Sequence, residues 1–191
     1  MSDLLQRLRG DLEPILEQHD PRARMSAYHD MPYALFRYDP EEEIELRKQV
    51  RLLETRLSQK DKRVARISLA ECLTEAMASQ NTPAEWFQAE REQGVDAVID
   101  TVHNVLADYA PLVDLVAKRM PPDPDPLRDI VLILRTGALF PMYRTFSLLE
   151  QLKGRVFAPT VLFYPGTLDG AAGLRFMGVL DAEHNYRPKI F

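Results

Sequence analysis

"DIVLILR", residues 129–135, sets five apolar side chains in succession between an aspartate and an arginine. A strand with one wet face alternates apolar and polar residues. A run without alternation, Ile130 to Leu134, suits a strand covered on both faces, as in a parallel sheet flanked by helices. Downstream, "APTVLFYPG" supplies a second buried strand over 159–164, and a glycine-rich turn leads to a strand in "LRFMGVL", 174–180. Upstream, "YALFRY" (33–38) and "RVARISL" (63–69) have the compact, β-branched and aromatic character of strands.

The segments between these strands read as helices. In "DPEEE" Asp39 is a cap, Pro40 takes the first helical position and three glutamates sit at the positive end of the dipole. Leu46, Val50, Leu53 and Leu57 then recur at helical spacing, so the sequence predicts an amphipathic helix over 41–58 with Arg and Lys on its outer face. Strand, helix, strand implies a parallel, right-handed crossover. A second helix over about 70–79 breaks at "SQNTP". Residues 83–118 form the longest helical region, with one broad face expected to be buried and Gly94 dividing off a helix that carries Trp86 and Phe87. "MPPDPDP" ends it. A glycine turn in "TGALFPMYRTFSLLEQL" leads to a helix over 141–152, and Leu4, Leu5, Leu8, Leu12, Ile15 and Leu16 mark an N-terminal amphipathic helix with Pro14 near its end. The expectation is one α/β domain over 1–191 of three-layer type. Its central, mostly parallel sheet of about five strands is flanked by helices, and residues 1–30 form the N-terminal helix and a connector.

With 24 Lys and Arg against 29 Asp and Glu, the net charge of -5 disfavours wholesale adsorption to nucleic acid or anionic lipid. Cys72 is the single cysteine, so it has no internal disulfide partner and reads as a buried thiol. No stretch approaches the roughly 20 apolar residues of a membrane span, and "MSDLLQRLRGDLEPIL" lacks the apolar core of a signal peptide. The reading is cytoplasmic.

Ligands of α/β sheets bind at the carboxyl ends of the strands, yet the turn after 33–38 offers proline and carboxylates where a phosphate cradle needs glycines and a lysine. Neither GxxxxGK[ST] nor GxGxxG occurs. Asp39, Glu41, Glu42 and Glu43 could supply oxygens to a divalent cation, but adjacent helical glutamates diverge and capping explains them better. No set of residues reads as catalytic, metal-binding or cofactor-binding. The candidates for partner or ligand binding are Arg135 and Arg144, whose planar forks flank a strand end, and Tyr164, which with Asp169 lines a sharp turn expected at Pro165 and Gly166. His184 could pair with Asp181 or Glu183. The closing stretch "HNYRPKIF" adds Tyr186, Arg187, Lys189 and Phe191. Three readings of this stretch stay open: packing on the sheet, docking to a partner, and a nucleic-acid hook.

"YHDMPYALFRYDPEEE", "ISLAECL", "LRTGALFPMYRTFSLLEQL" and "VLFYPGTLDGAAGLRFMGVLDAEHNYRPKIF", in that order, resemble the BrxB family, a small component of bacteriophage-exclusion (BREX) defence systems. The resemblance spans nearly the whole chain, and the family has no agreed catalytic motif to carry over. It implies a non-enzymatic assembly subunit that needs no cofactor and contacts other BREX proteins. The foremost of these are the alkaline-phosphatase-like PglZ and the large ATPase BrxC. The alternative is a degenerate nucleotide- or nucleic-acid-binding domain using Arg135, Arg144, Arg187 and Lys189; self-association stays open.

Overall fold

The computed structural model describes residues 2–25, 32–170, 173–184 and 188–191. Four strands run parallel: β1 (Tyr33–Tyr38), β2 (Arg63–Ser68), β3 (Asp129–Leu134) and the first part of β4 (Thr160–Asp169). Their order across the sheet is β1-β4-β3-β2, and β5 (Gly173–Phe176) pairs antiparallel with the far end of β4. The uninterrupted apolar run of β3 hides a period of two. Ile130 and Leu132 join Val161, Phe163 and Phe36 in one core, while Val131 and Ile133 join Leu162, Tyr164 and Leu35 in the other. Each strand of the middle of the sheet therefore feeds two cores, which is why no polar position interrupts it.

The Phe36 side of the sheet is covered by α1 (Asp3–Arg7), α2 (Glu13–Leu16), α3 (Arg22–Met25) and α4 (Glu43–Ser58). Between α1 and α2, Leu8–Leu12 widens into a π turn, with Glu13 N–H donating to the Leu8 carbonyl. Pro14 explains the widening: it has no N–H to offer and its ring crowds the carbonyl one turn back. The opposite side carries α5 (Leu69–Ala78), α6 (Pro83–Gln93), α7 (Val95–Asn104), a π turn over Val105–Tyr109, α8 (Leu112–Ala117) and α9 (Thr145–Leu152). The chain crosses the sheet from β1 to β2 over one face and returns through β3 and β4 over the other. Opposite travel on opposite faces keeps the hand of the crossovers constant. The helix starts follow local chemistry. Asp39 accepts from Glu41 N–H at 3.0 Å, Ser68 caps α5, and Thr82 with Glu85 forms a reciprocal box on α6.

Four local expectations change. The chain makes no sharp turn at Pro165 and Gly166; β4 runs straight through both to Asp169. The β3–β4 ladder ends at Leu162, so the missing donor of Pro165 breaks no bond to β3, and the Pro165 carbonyl accepts from Met177 N–H at 2.9 Å. Gly166 pairs with Phe176 so closely that a Cβ there would overlap the Arg175 carbonyl. The last strand stops at Phe176 instead of 180, because Met177 and Gly178 take positive φ angles of 55° and 72° and turn the chain. The helix expected from 141 begins at Thr145, since Phe140 and Arg144 are extended. Finally, the apolar stripe of 83–118 is not buried throughout. In α6 only Trp86 is buried, and Phe87 and Val95 are 60% and 56% exposed; Gly94 (φ 90°) ends α6 and interrupts the stripe there.

Candidate functional site

Because the helices after β1 and after β3 leave toward opposite faces, the carboxyl ends of β1, β4 and β3 open a crevice at the point where an α/β sheet ordinarily takes its ligand. Here protein fills most of it. Tyr38, at the end of β1, donates its hydroxyl proton to Glu43 Oε2, and Arg135 Nε lies 3.4 Å from Glu43 Oε1. Arg135 reaches inward because it takes a left-handed conformation, φ 60° and ψ 33°, directly after β3. Burial, followed by the adjacent Glu43 carboxylate, holds the Tyr38 hydroxyl above the ordinary phenol range. Met177 roofs the space over Gly137 and Pro165, leaving about 190 Å³, below the several hundred Å³ of ordinary small-molecule sites.

A larger groove, about 490 Å³, lies between α4 and β2 and is lined by Arg47, Arg51, Arg66 and Arg135 above Val50, Val64 and Leu134. Arg66 is paired with Glu54 at 3.1 Å. Arg47 and Arg51, one turn apart on α4, have no carboxylate within ion-pair distance among the described residues. Glu43, which could pair with Arg47 one turn earlier, is held by Tyr38 and Arg135. The foot of this edge is firmly fastened. Asp129 accepts from Arg63 Nε at 2.6 Å and Nη2 at 2.7 Å, and the buried Lys62 ammonium donates to the carbonyls of Gln18, Leu127 and His19. Burial pulls the Lys62 pKa down.

The expected candidates separate into three places. Arg135 belongs to both the crevice and the groove. Arg144 and His184 lie near the β5 turn: Arg144 Nη1 is 3.3 Å from Glu183, and His184 Nε2 is 3.6 Å from Asp169, not from Asp181 or Glu183. Tyr164 is a core residue, buried with its ring 5.5 Å from that of Phe176. Lys189 and Phe191 close the edge of β1. Leu35 N–H donates to Lys189 O at 2.9 Å, Phe191 N–H to Leu35 O at 2.8 Å, and Arg37 N–H to Phe191 O at 3.0 Å. Arg7 clamps the strand end by donating to the Arg37 and Phe191 carbonyls, and the Lys189 ammonium sits 4.5 Å over the Phe191 ring. Tyr186 and Arg187 lie outside the described residues. The groove arginines Arg47, Arg51 and Arg66 were not among the sequence candidates. Their one local signal is the like-charge pair at i and i+4.

Residues 65–190 match the family described as "BREX protein BrxB". A BREX protein BrxB of Bacillus cereus (strain H3081.97) is 24% identical over 164 residues, covering 83% of this chain and 82% of that protein. Neither description names an activity. No solved structure matches the chain. Among the described residues no helix is long and apolar enough to cross a membrane, and no cluster of three or more His, Cys, Asp or Glu is arranged to hold a metal ion.

Proposed function

The chain belongs to the BrxB family of BREX proteins, and on that premise we propose that it is a non-enzymatic assembly subunit of a BREX anti-phage system, joining other components through protein contacts. The observation that carries this reading is the filled switch-point crevice. Where a sheet enzyme keeps room for substrate, Tyr38, Glu43, Arg135 and Met177 leave about 190 Å³. Family membership sets the context: the partners are other BREX components, with a PglZ-like or BrxC-like protein first among them. Co-expression with each component in turn, followed by size-exclusion chromatography, tests the reading. It predicts co-elution with at least one of them and no turnover by the chain alone; separate elution from every component would sink it.

The second reading, a degenerate nucleotide- or nucleic-acid-binding domain, draws on the arginines of the α4–β2 groove. Calorimetry with nucleotides and gel shifts with DNA over a salt series separate it from the first, since phosphate-driven binding falls steeply as salt rises.

A further inference from the structure

The geometry points to the groove between α4 and the outer edge of β2 as the docking site for an extended, acidic segment of a partner protein. This rests on the assembly reading and adds to it the face used and the chemistry recognised.

The first observation is a free edge. Arg63 N–H donates inward to the Arg128 carbonyl at 2.7 Å. Alternation along the strand then turns the backbone N–H and C=O of Val64 and Arg66 outward, away from β3. Neither residue makes a backbone hydrogen bond on that side among the described residues. An added strand can take up such groups directly, with side-chain contacts setting specificity. The second observation is charge. Four guanidiniums line the groove beside this edge, and Arg47 and Arg51 repel each other one turn apart with no carboxylate among the described residues to offset them. An acidic chain laid along β2 would place its carboxylates within reach of both, while Val50, Val64 and Leu134 offer an apolar floor to the residues between.

The same features select this occupant over others. Two copies of the β2 edge laid together would bring no free carboxylate to Arg47 and Arg51, since the charged side chains of β2 are Arg63 and Arg66, already paired with Asp129 and Glu54. A phosphate backbone would meet Glu54 and Glu71, which also line the groove, on a protein of net charge -5. A peptide can place its charges singly.

The test uses the full chain co-expressed with the BREX components and captured by a tag, with three variants run beside it. R47E/R51E reverses the unpaired charges. Val64→Pro removes one outward donor without touching the β3 ladder. Arg91→Glu is a charge reversal on exposed α6, on the opposite side of the sheet from the groove. The expectation is partner recovery by the unmodified chain and by R91E, but on the order of tenfold less by R47E/R51E and by V64P, with all melting temperatures within a few degrees. Equal recovery by R47E/R51E overturns the groove and leaves the assembly reading standing. Absence of any partner on the unmodified chain overturns both. Loss of recovery on nuclease treatment would assign the groove to nucleic acid instead. Should V64P fail to fold, the R47E/R51E result decides.

Discussion

The two edges of the sheet are treated in opposite ways. At β1, the segment Lys189–Phe191 supplies a parallel neighbour through three backbone hydrogen bonds, and Arg7 clamps its end. At β2, no chain among the described residues covers the outward groups of Val64 and Arg66, and Arg47 and Arg51, without an ion pair among those residues, line the approach. Open strand edges invite pairing, so proteins either cover them or make them selective. This molecule does the first at one edge and the second at the other. Lys189–Phe191 therefore complete this domain's own sheet, and the edge with no neighbour among the described residues lies on the far side of it.

The same proline substitution should have its largest and most unequal effects at these two edges. Leu35→Pro removes a bonded N–H and a fully buried side chain, and should cost about 4 kcal/mol. Val64→Pro, on the open edge, should cost about 1 kcal/mol or less. Chemical denaturation of both variants reads the gap directly; equal losses would mean that β2 is not an open edge. Next in size, deleting Pro188–Phe191 removes three backbone hydrogen bonds and the half-buried Ile190 and Phe191. The expected loss is about 2 kcal/mol after the regained chain entropy, a fall in Tm of roughly 4–8 °C. The bared β1 edge should also promote concentration-dependent association. An unchanged Tm with lost partner binding would instead make the tail the docking element. The smallest effect is at the groove. Arg51→Gln relieves the repulsion with Arg47, so stability should stay level or rise by about 0.3 kcal/mol while partner recovery falls. A residue kept against stability is the mark of a binding surface.

Much of the fold is legible in the residues. The unbroken run Ile130–Leu134 requires cover on two faces, and "DPEEE" fixes the start of the helix after β1. Where the local reading departs from the structure, a distant partner decides. Pro165 and Gly166 look like a turn until β5 is brought beside them and Gly166 proves to be the one residue that lets Phe176 approach. The stripe of 83–118 looks buried because its periodicity is good, but the break at Gly94 divides it and Phe87 and Val95 are exposed. The site was the least legible. Arg47 and Arg51 read as an ordinary solvated helix face, and only the strand order, which pairs Tyr33 with Thr160 and leaves β2 outermost, places them beside a free edge. Arg135 was legible as a strand-end residue, though its role is to fill the crevice with Glu43.

The opposite treatment of the two edges can be read by residue-resolved amide hydrogen exchange, on the chain alone and in complex with a BREX component with which it co-elutes. Alone, the amides of Leu35, Arg37 and Phe191 should be protected and those of Val64 and Arg66 should exchange rapidly. In the complex, Val64 and Arg66 should gain protection while Leu35 and Arg37 stay as they were. Unchanged exchange at Val64 and Arg66, with the complex demonstrably formed, would contradict the assignment of the open edge as the docking face.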